Sequence, residues 1–348
     1  MLGAVNHPHV EHLALAMHER GFEVVVAGDT VADLPPSTLP LELRAAPERA
    51  RSSPAGAVAH VRWIRGLLRE LAPDVVHAHW VPGFAFFAAL AGARPLVAMA
   101  WGSDVLRARP AQTLASRVAL RRADLAMADS QALLDRVKAL GARRCVLVNW
   151  GVDLSLFRPG DRSALKASLG LGDGPVVLSP RSLMPVYNPR TIVDAFADVA
   201  AERDDVQLVL KHMGVVREDL GPLPERVHVV SNVDYARMPA YYAAADVCVS
   251  IASSDSAPRS VFEAMACGTA CVLSDLPWVH EQIADEREAL IVPIERDAVA
   301  RAIRRLLDDR SLAEGMARRG RELAVRHHDA AAHMDRLAET YRALVRPR

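Results

Sequence analysis

The sequence predicts an α/β protein made of two doubly wound parallel-sheet domains that face each other across a cleft. Three observations carry that reading. Short, almost wholly apolar runs alternate with segments of helical period along nearly the whole chain. There are eleven such runs, more than one sheet comfortably holds. The long stretch without a strand falls between the fifth run and the sixth. Strands that are apolar on both faces and separated by helices belong to parallel sheets covered on both sides.

The chain opens with "MLGAVNHPHVEHLALAMHERG", in which "LGAV" reads as the tail of a strand that is either short or begins upstream. It lacks a basic region followed by a long apolar core, so it is not read as a signal peptide. The first-half strands are "EVVVAG" (23–28), "DVVHAH" (74–79), "PLVAMA" (95–100), "DLAMAD" (124–129) and "CVLVNW" (145–150). Between them, "AVAHVRWIRGLLRELAPD" (57–74) places Val61, Ile64, Leu67, Leu68 and Leu71 on one helical stripe and Arg62, Arg65 and Arg69 off it. The pattern fits a helix that covers its sheet with its arginines in solvent. It also makes a basic helix a candidate for peripheral contact with anionic lipid.

Residues 151–175 contain Pro159, Gly160, Gly170, Gly172, Gly174 and Pro175 and no strand, which is linker chemistry. The second-half strands are "PVVLSP" (175–180), "VQLVLK" (206–211), "VHVV" (227–230), "DVCVS" (246–250), "ACVLSD" (270–275) and "ALIVP" (289–293). The domains are set at 1–155 and 156–330, with a terminal helix at 331–348 that has no strand after it.

With 348 residues and 51% hydrophobic content, two full cores are available. Lys plus Arg equals Asp plus Glu at 42 each, so no global field draws nucleic acid, and any anion site must be local. Cys145, Cys248, Cys267 and Cys271 lack zinc-type spacing and sit mostly in apolar runs, which predicts reduced cysteines and a cytoplasmic setting. No apolar run reaches the ~18 to 20 residues of a membrane span.

Candidate chemistry gathers at strand ends, where doubly wound sheets bind ligands. "SDSAPRSVFEAMACG" holds Asp255 in a polar loop, then Arg259, Ser260 and Glu263 at the start of a short helix with Gly268 as its C-cap signal. Ser260 and Glu263 fit an S-x-x-E capping box, a purely structural reading that stands beside the ligand reading. The helix N-terminus favours an anion. Arg181 follows the strand at 175–180 and Lys211 ends the strand at 206–211, so three cations and a helix end could form one phosphate pocket. In the first half, His77 and His79 lie two apart on one strand face, without the further ligands a metal needs. Trp101 begins "WGSDV", whose Asp104 reads as a helix N-cap or a polar tip, and His9 closes the first strand. Neither G-x-x-x-x-G-K-S/T nor G-x-G-x-x-G occurs.

"ERGFEVVVAGD", "PDVVHAHW", "GSDV", "ADLAMADSQALLDRVKALGA" and "NWGVDLSLFRPGD" resemble the N-terminal domain and hinge of family 4 glycosyltransferases (glycosyl transferases group 1). "YYAAADVCVS", "SVFEAMACGTACVLSD" and "EREALIVPIERDAVARAI" resemble their donor-binding domain. The resemblance covers nearly the whole chain. It implies the GT-B architecture of two Rossmann-like domains, an acceptor domain followed by a nucleotide-sugar domain, with the terminal helix packing back on the first. It further implies a retaining, metal-independent transfer of a sugar, hexosyl in type, from a nucleoside diphosphate sugar to a hydroxyl of a glycan, lipid or small molecule.

By the same resemblance, Asp255 and Glu263 stand in the family's Glu-x7-Glu pair, Asp255 toward the donor sugar and Glu263 toward the ribose. Arg181 lies one residue from the family's Arg, and Tyr187 occupies the place of its Lys, with Lys211 as a substitute cation. Trp101 stands where many relatives have a His. The acceptor-side candidates are His9, His77, His79, Trp101 itself and Asp104. In the family's front-face route the donor phosphate takes the acceptor proton, and no cofactor is expected. The alternatives are a catalytically weak or inactive GT-B protein that binds nucleotide sugar, and an enzyme resembling nucleotide-sugar 2-epimerases. The setting is cytoplasmic, with the inner face of the membrane as a candidate docking place for the first domain.

Overall fold

The computed structural model describes residues 1–32, 34, 36–47, 53–213 and 219–345. The chain divides into two compact units, Met1–Asn149 with Ala332–Arg348, and Trp150–Ala331. Residues 346–348 of the expected terminal helix lie outside the described residues.

The first unit runs α1 (Pro8–His18), β1 (Val25–Gly28), β2 (Glu42–Ala45), α2 (Pro54–Leu71), β3 (Val76–His79), a π-helical turn (Val81–Ala85) and α3 (Phe86–Ala91). It continues through β4 (Leu96–Met99), α4 (Ser103–Leu106), α5 (Pro110–Arg122), β5 (Leu125–Ala128), α6 (Gln131–Ala139) and β6 (Cys145–Leu147). β3, β4, β5 and β6 pair in that order, all parallel, and β1 pairs with β2. Leu2 joins the two sets, bridging to both Ala27 and Ala78. Its N–H donates to His77 O at 2.7 Å and its carbonyl accepts from His79 N at 2.9 Å. The "LGAV" opening therefore holds a strand's place between β1 and β3. Gly28 is required here, because a Cβ at its φ of +156° would collide with the Gly3 carbonyl.

All eleven expected strands are present, most a residue or two shorter at their ends. β2 was not expected. Its "ELRA" is mostly exposed and charged, as befits an edge strand, so apolar runs could not reveal it. Every residue of β3, β4 and β5 is buried, which is why these strands read as continuous apolar runs. α2 buries Ile64 and Leu67 in the core, with Val61, Leu68 and Leu71 packed beside them, while Arg62, Arg65 and Arg69 are exposed. Ser53 starts it by accepting from Gly56 N.

The second unit runs α7 (Arg162–Ser168), β7 (Val176–Ser179), a 3₁₀ turn (Pro185–Tyr187), α8 (Pro189–Glu202), β8 (Gln207–His212), β9 (Val227–Ser231) and a second 3₁₀ turn (Tyr235–Arg237). Then come α9 (Met238–Ala244), β10 (Val247–Ser250), α10 (Arg259–Ala266), β11 (Ala270–Ser274), α11 (Pro277–Gln282), β12 (Leu290–Val292), α12 (Arg296–Asp308) and α13 (Arg310–His327), and α14 (Ala330–Leu344) ends the chain's order of elements. Its six strands lie in the order β12-β11-β10-β7-β8-β9, and every pairing is parallel. The chain winds from β7 out through β8 to β9, then returns to lay β10, β11 and β12 on the other side. The winding direction reverses between β7 and β10, the place where open parallel sheets form a ligand crevice.

Most of α14 belongs to the first unit. Asp335 pairs with Arg20 at 2.8 Å, Tyr341 stacks edge-on to Phe22, and its hydroxyl is hydrogen-bonded to His77 Nδ1 at 2.6 Å.

Candidate functional site

Arg181 lies two residues beyond β7 and Asp255 five beyond β10, so the reversal of the sheet sets them side by side. Arg181 Nη2 donates to Asp255 Oδ2 at 2.7 Å and Nη1 donates to Ser260 Oγ at 2.8 Å. The guanidinium carbon lies 4.2 Å from the centre of the Tyr187 ring. The two loops are laced together beneath this group. Asn188, in the left-handed region at φ 47°, donates to Ile251 O at 3.1 Å, and Val186 O accepts from Ser253 N at 2.8 Å. Ser274 ties the base of the second loop by bonding both N and O of Ala252.

The pair is buried, its side chains 11% and 13% exposed. Burial pushes the Arg181 pKa down, but Asp255 and Tyr187 more than offset it and the net shift is upward. Burial raises the Asp255 carboxyl, against the pull of Arg181 and of the Ser256 N–H.

The Ser260–Glu263 capping box is not formed. α10 starts at Arg259 behind Pro258, which has no side chain to cap with, and the Ser260 hydroxyl is engaged by Arg181. Glu263 turns into the unit instead. Its Oε1 accepts from Tyr235 Oη at 2.8 Å and its Oε2 from Tyr242 Oη at 3.0 Å, while Arg259 stands 3.6 Å away. Arg259 also donates to Tyr235 Oη and lies over its ring. Burial and the Glu263 charge hold both phenols well above their ordinary pKa, so they remain donors. Gly268, at φ 76°, ends the helix as expected, its N–H returning to Met265 O.

Lys211, near the end of β8, bonds to neither group but feels both. Burial lowers its pKa, Glu263 opposes the change and Arg181 adds to it. The second unit thus brings Arg181, Asp255, Ser260 and Tyr187 into one cluster and Arg259 and Glu263 into an adjoining one, with Lys211 in electrostatic reach of both. Tyr235 and Tyr242 were not anticipated. In "DYARMPAYYAA" nothing marks them out from packing aromatics, and only the turn of Glu263 toward them shows that their hydroxyls matter.

In the first unit, His9, His77, His79 and Trp101 form an aromatic cluster with His7, which was also missed. Trp101 lies 4.7 Å from His7, 5.7 Å from His9 and 5.5 Å from His79 between ring centres, and His77 lies 4.5 Å from His79. Trp101 Nε1 donates to His79 Nδ1 at 3.2 Å, which leaves the ring proton of neutral His79 on Nε2. Burial holds His77 down at about 3, His7 at about 4 and His79 well below its ordinary value.

Asp104 is not the cap of α4, which begins one residue before it behind Gly102. It is buried and accepts from Trp101 N at 2.9 Å and Val81 N at 3.0 Å, fixing the π-helical turn after β3 to the base of the Trp101 loop. Burial raises its carboxyl to about 6. Among the described residues, no three His, Cys, Asp or Glu side chains group as a metal site, and no helix is long and apolar enough to cross a membrane.

The sequence is 32% identical over 166 residues to D-inositol 3-phosphate glycosyltransferase 2 of Catenulispora acidiphila, a match spanning 43% of this chain and 39% of that protein. The chain spans between 34% and 39% of the length of this and two further curated relatives of the same activity. In structure it is similar to sucrose-phosphate synthase from Thermosynechococcus elongatus, with a TM-score of 0.83, 20% identity, and coverage of 99% of this chain and 98% of that one. The Anabaena protein HepE, solved with UDP and glucose, superposes with a TM-score of 0.81 at 21% identity, over 98% of each chain. The shared fold is GT-B. The model described as Glycosyltransferase Family 4 matches residues 8–156 and that described as Glycosyl transferases group 1 matches residues 161–323. The two matches together take in nearly all of the sequence, and the chain belongs to the family 4, group 1 glycosyltransferases.

Proposed function

We propose that this protein is a retaining glycosyltransferase that moves a sugar from a nucleoside diphosphate sugar to a hydroxyl acceptor without a metal. The observation that carries the reading is the convergence of Arg181, Ser260 and Asp255 at the point where the sheet of the second unit reverses its winding, beside the amino end of α10.

In a nucleotide-sugar reaction, negative charge grows on the departing phosphate. A guanidinium already held in place by Ser260 and Tyr187 stabilises that charge without having to reorganise during the reaction. The helix end adds a positive dipole, and Lys211 stands near enough to share the load. Asp255, on the other side of the guanidinium, supplies the negative charge that an oxocarbenium-like sugar requires. Glu263, deeper in the unit, is the ligand we assign to the ribose. A donor phosphate that takes the acceptor's proton on the same face accounts for retention with no protein base.

On the acceptor side we assign the clustered His9, His77, His79 and Trp101, with Asp104 holding the base of the Trp101 loop; burial keeps His77 and His79 neutral. The names of two similar proteins, a D-inositol 3-phosphate glycosyltransferase and an α-monoglucosyldiacylglycerol synthase, support transfer to a hydroxyl compound.

A second reading, nucleotide-sugar binding without turnover, is favoured by Tyr187, which puts a ring where a cation would serve the leaving group. Incubation with UDP-, GDP- and TDP-sugars, with and without a hydroxyl acceptor, separates the possibilities. Transfer with the anomeric configuration kept, read by NMR, is the expected result. Acceptor-independent inversion at C2 of the sugar would mean an epimerase, and binding without any product would mean a turnover-free protein.

A further inference from the structure

Tyr235 has no part in the reading above, yet its hydroxyl sits at the centre of the Glu263 cluster. It donates to Glu263 Oε1 at 2.8 Å and accepts from Arg259. One hydroxyl therefore bridges a buried carboxylate and a buried guanidinium, each less than a tenth exposed.

The two tyrosines on Glu263 are not equivalent. Tyr242 is 1% exposed, lies on α9 and packs on Phe157, so its hydroxyl is fixed. Tyr235 is 39% exposed and rides on a three-residue 3₁₀ turn held by the Asp234 side chain. Its ring has Phe157 beside it, at 5.3 Å, and the Arg259 guanidinium over it, at 5.1 Å, and to free its hydroxyl's partners it must swing toward solvent. When it does, one acceptor on Glu263 and one donor on Arg259 are released together. That is the pair of partners an aliphatic hydroxyl needs, since a hydroxyl donates once and accepts as well.

We propose that Tyr235 is a gate whose phenol hydroxyl occupies a hydroxyl subsite between Glu263 and Arg259, and that a nucleotide enters by displacing it with a ribose hydroxyl. The inference rests on the assignment of Glu263 to the ribose. Tyr235 is then a positioning residue that sets nucleotide affinity through competition, and its removal helps ligands that carry the hydroxyl and no others.

Calorimetric titration of UDP and GDP, each beside its 2′,3′-dideoxy analogue, into the unmodified protein and the Tyr235→Phe and Glu263→Ala variants tests this. Tyr235→Phe is expected to tighten the ribonucleotide by about five-fold, the order of one net hydrogen bond, and to leave the dideoxy analogue unchanged. Weaker or unaltered ribonucleotide binding in Tyr235→Phe, or equal changes for both forms, overturns the gate. Glu263→Ala reports separately on the assignment beneath it. A loss of ribonucleotide affinity there, without a gain in Tyr235→Phe, rejects the gate alone, whereas unchanged affinity in Glu263→Ala rejects the ribose assignment. No binding of either nucleotide to the unmodified protein rejects both.

Discussion

Arg181 and Asp255 meet at 2.7 Å between the carboxyl ends of β7 and β10, the two strands at which the sheet of the second unit changes its winding direction. Each residue is the other's main partner in a site shielded from water. The pairing gives Asp255 a structural role that a polar loop position does not suggest.

That pairing predicts an asymmetry in stability. Asp255→Ala leaves a buried guanidinium without its carboxylate partner and should cost about 3 kcal/mol, the usual consequence of orphaning one member of a buried pair. Arg181→Met combined with Asp255→Leu removes both charges and should recover most of that loss. Thermal unfolding of Asp255→Ala, Asp255→Leu, Arg181→Met and the double variant checks this. Equal or additive losses would mean that the pair is not energetically coupled.

Tyr187 should matter through its ring. At 4.2 Å from the guanidinium, the ring is a cation–π platform that aims Arg181. Tyr187→Phe keeps the platform and should retain most activity. Tyr187→Ala frees the Arg181 side chain and should lower kcat by about ten-fold. Steady-state kinetics of the two variants, side by side, distinguish aiming from a contact made by the hydroxyl.

The histidine cluster sets a pH dependence with a definite sign. His77 and His7 are held at about 3 and about 4 by burial, below the ordinary histidine value of 6.5. A base depressed in this way binds fewer protons folded than unfolded. Its contribution to stability is whole above pH 6.5 and is lost as the pH falls toward the folded values. Asp104 works the other way. Its carboxyl is raised from 3.8 to about 6, so its contribution is full below pH 3.8 and lost as the pH rises through 6. The histidines, being more numerous and more strongly shifted, should dominate, and Tm should fall between pH 6.5 and 4.5. His77→Asn keeps an acceptor for Tyr341 and does not titrate, so its melting curve should flatten over that window. An unchanged slope would show that His77 is not the titrating group.

Much of the fold was legible because its strands are buried on both faces and betray themselves as apolar runs. β2 escaped because an edge strand with exposed Glu42 and Arg44 carries no such run. The site was legible to the extent that strand ends and helix starts are, which is why Arg181, Asp255, Ser260 and Glu263 were all singled out. What spacing could not supply was direction. Ser260 and Glu263 stand at the interval of a capping box, but Pro258 opens the helix, Arg181 takes the serine and two tyrosines take the glutamate. Tyr235, Tyr242 and Tyr341 stayed hidden for the same reason. An aromatic at helical spacing looks like core until the partner of its hydroxyl is known. Asp104 likewise reads as a cap and serves instead to join two loops.

We propose above that Arg181, beside Asp255 and the start of α10, holds the diphosphate of a nucleotide. Calorimetric titration of UDP and GDP into the unmodified protein and into Arg181→Ala tests it most directly, with folding checked by circular dichroism. Binding of at least one nucleotide, weakened about 100-fold or more by the loss of this charge-assisted contact, is the predicted result. Equal affinity in the two proteins would contradict the claim.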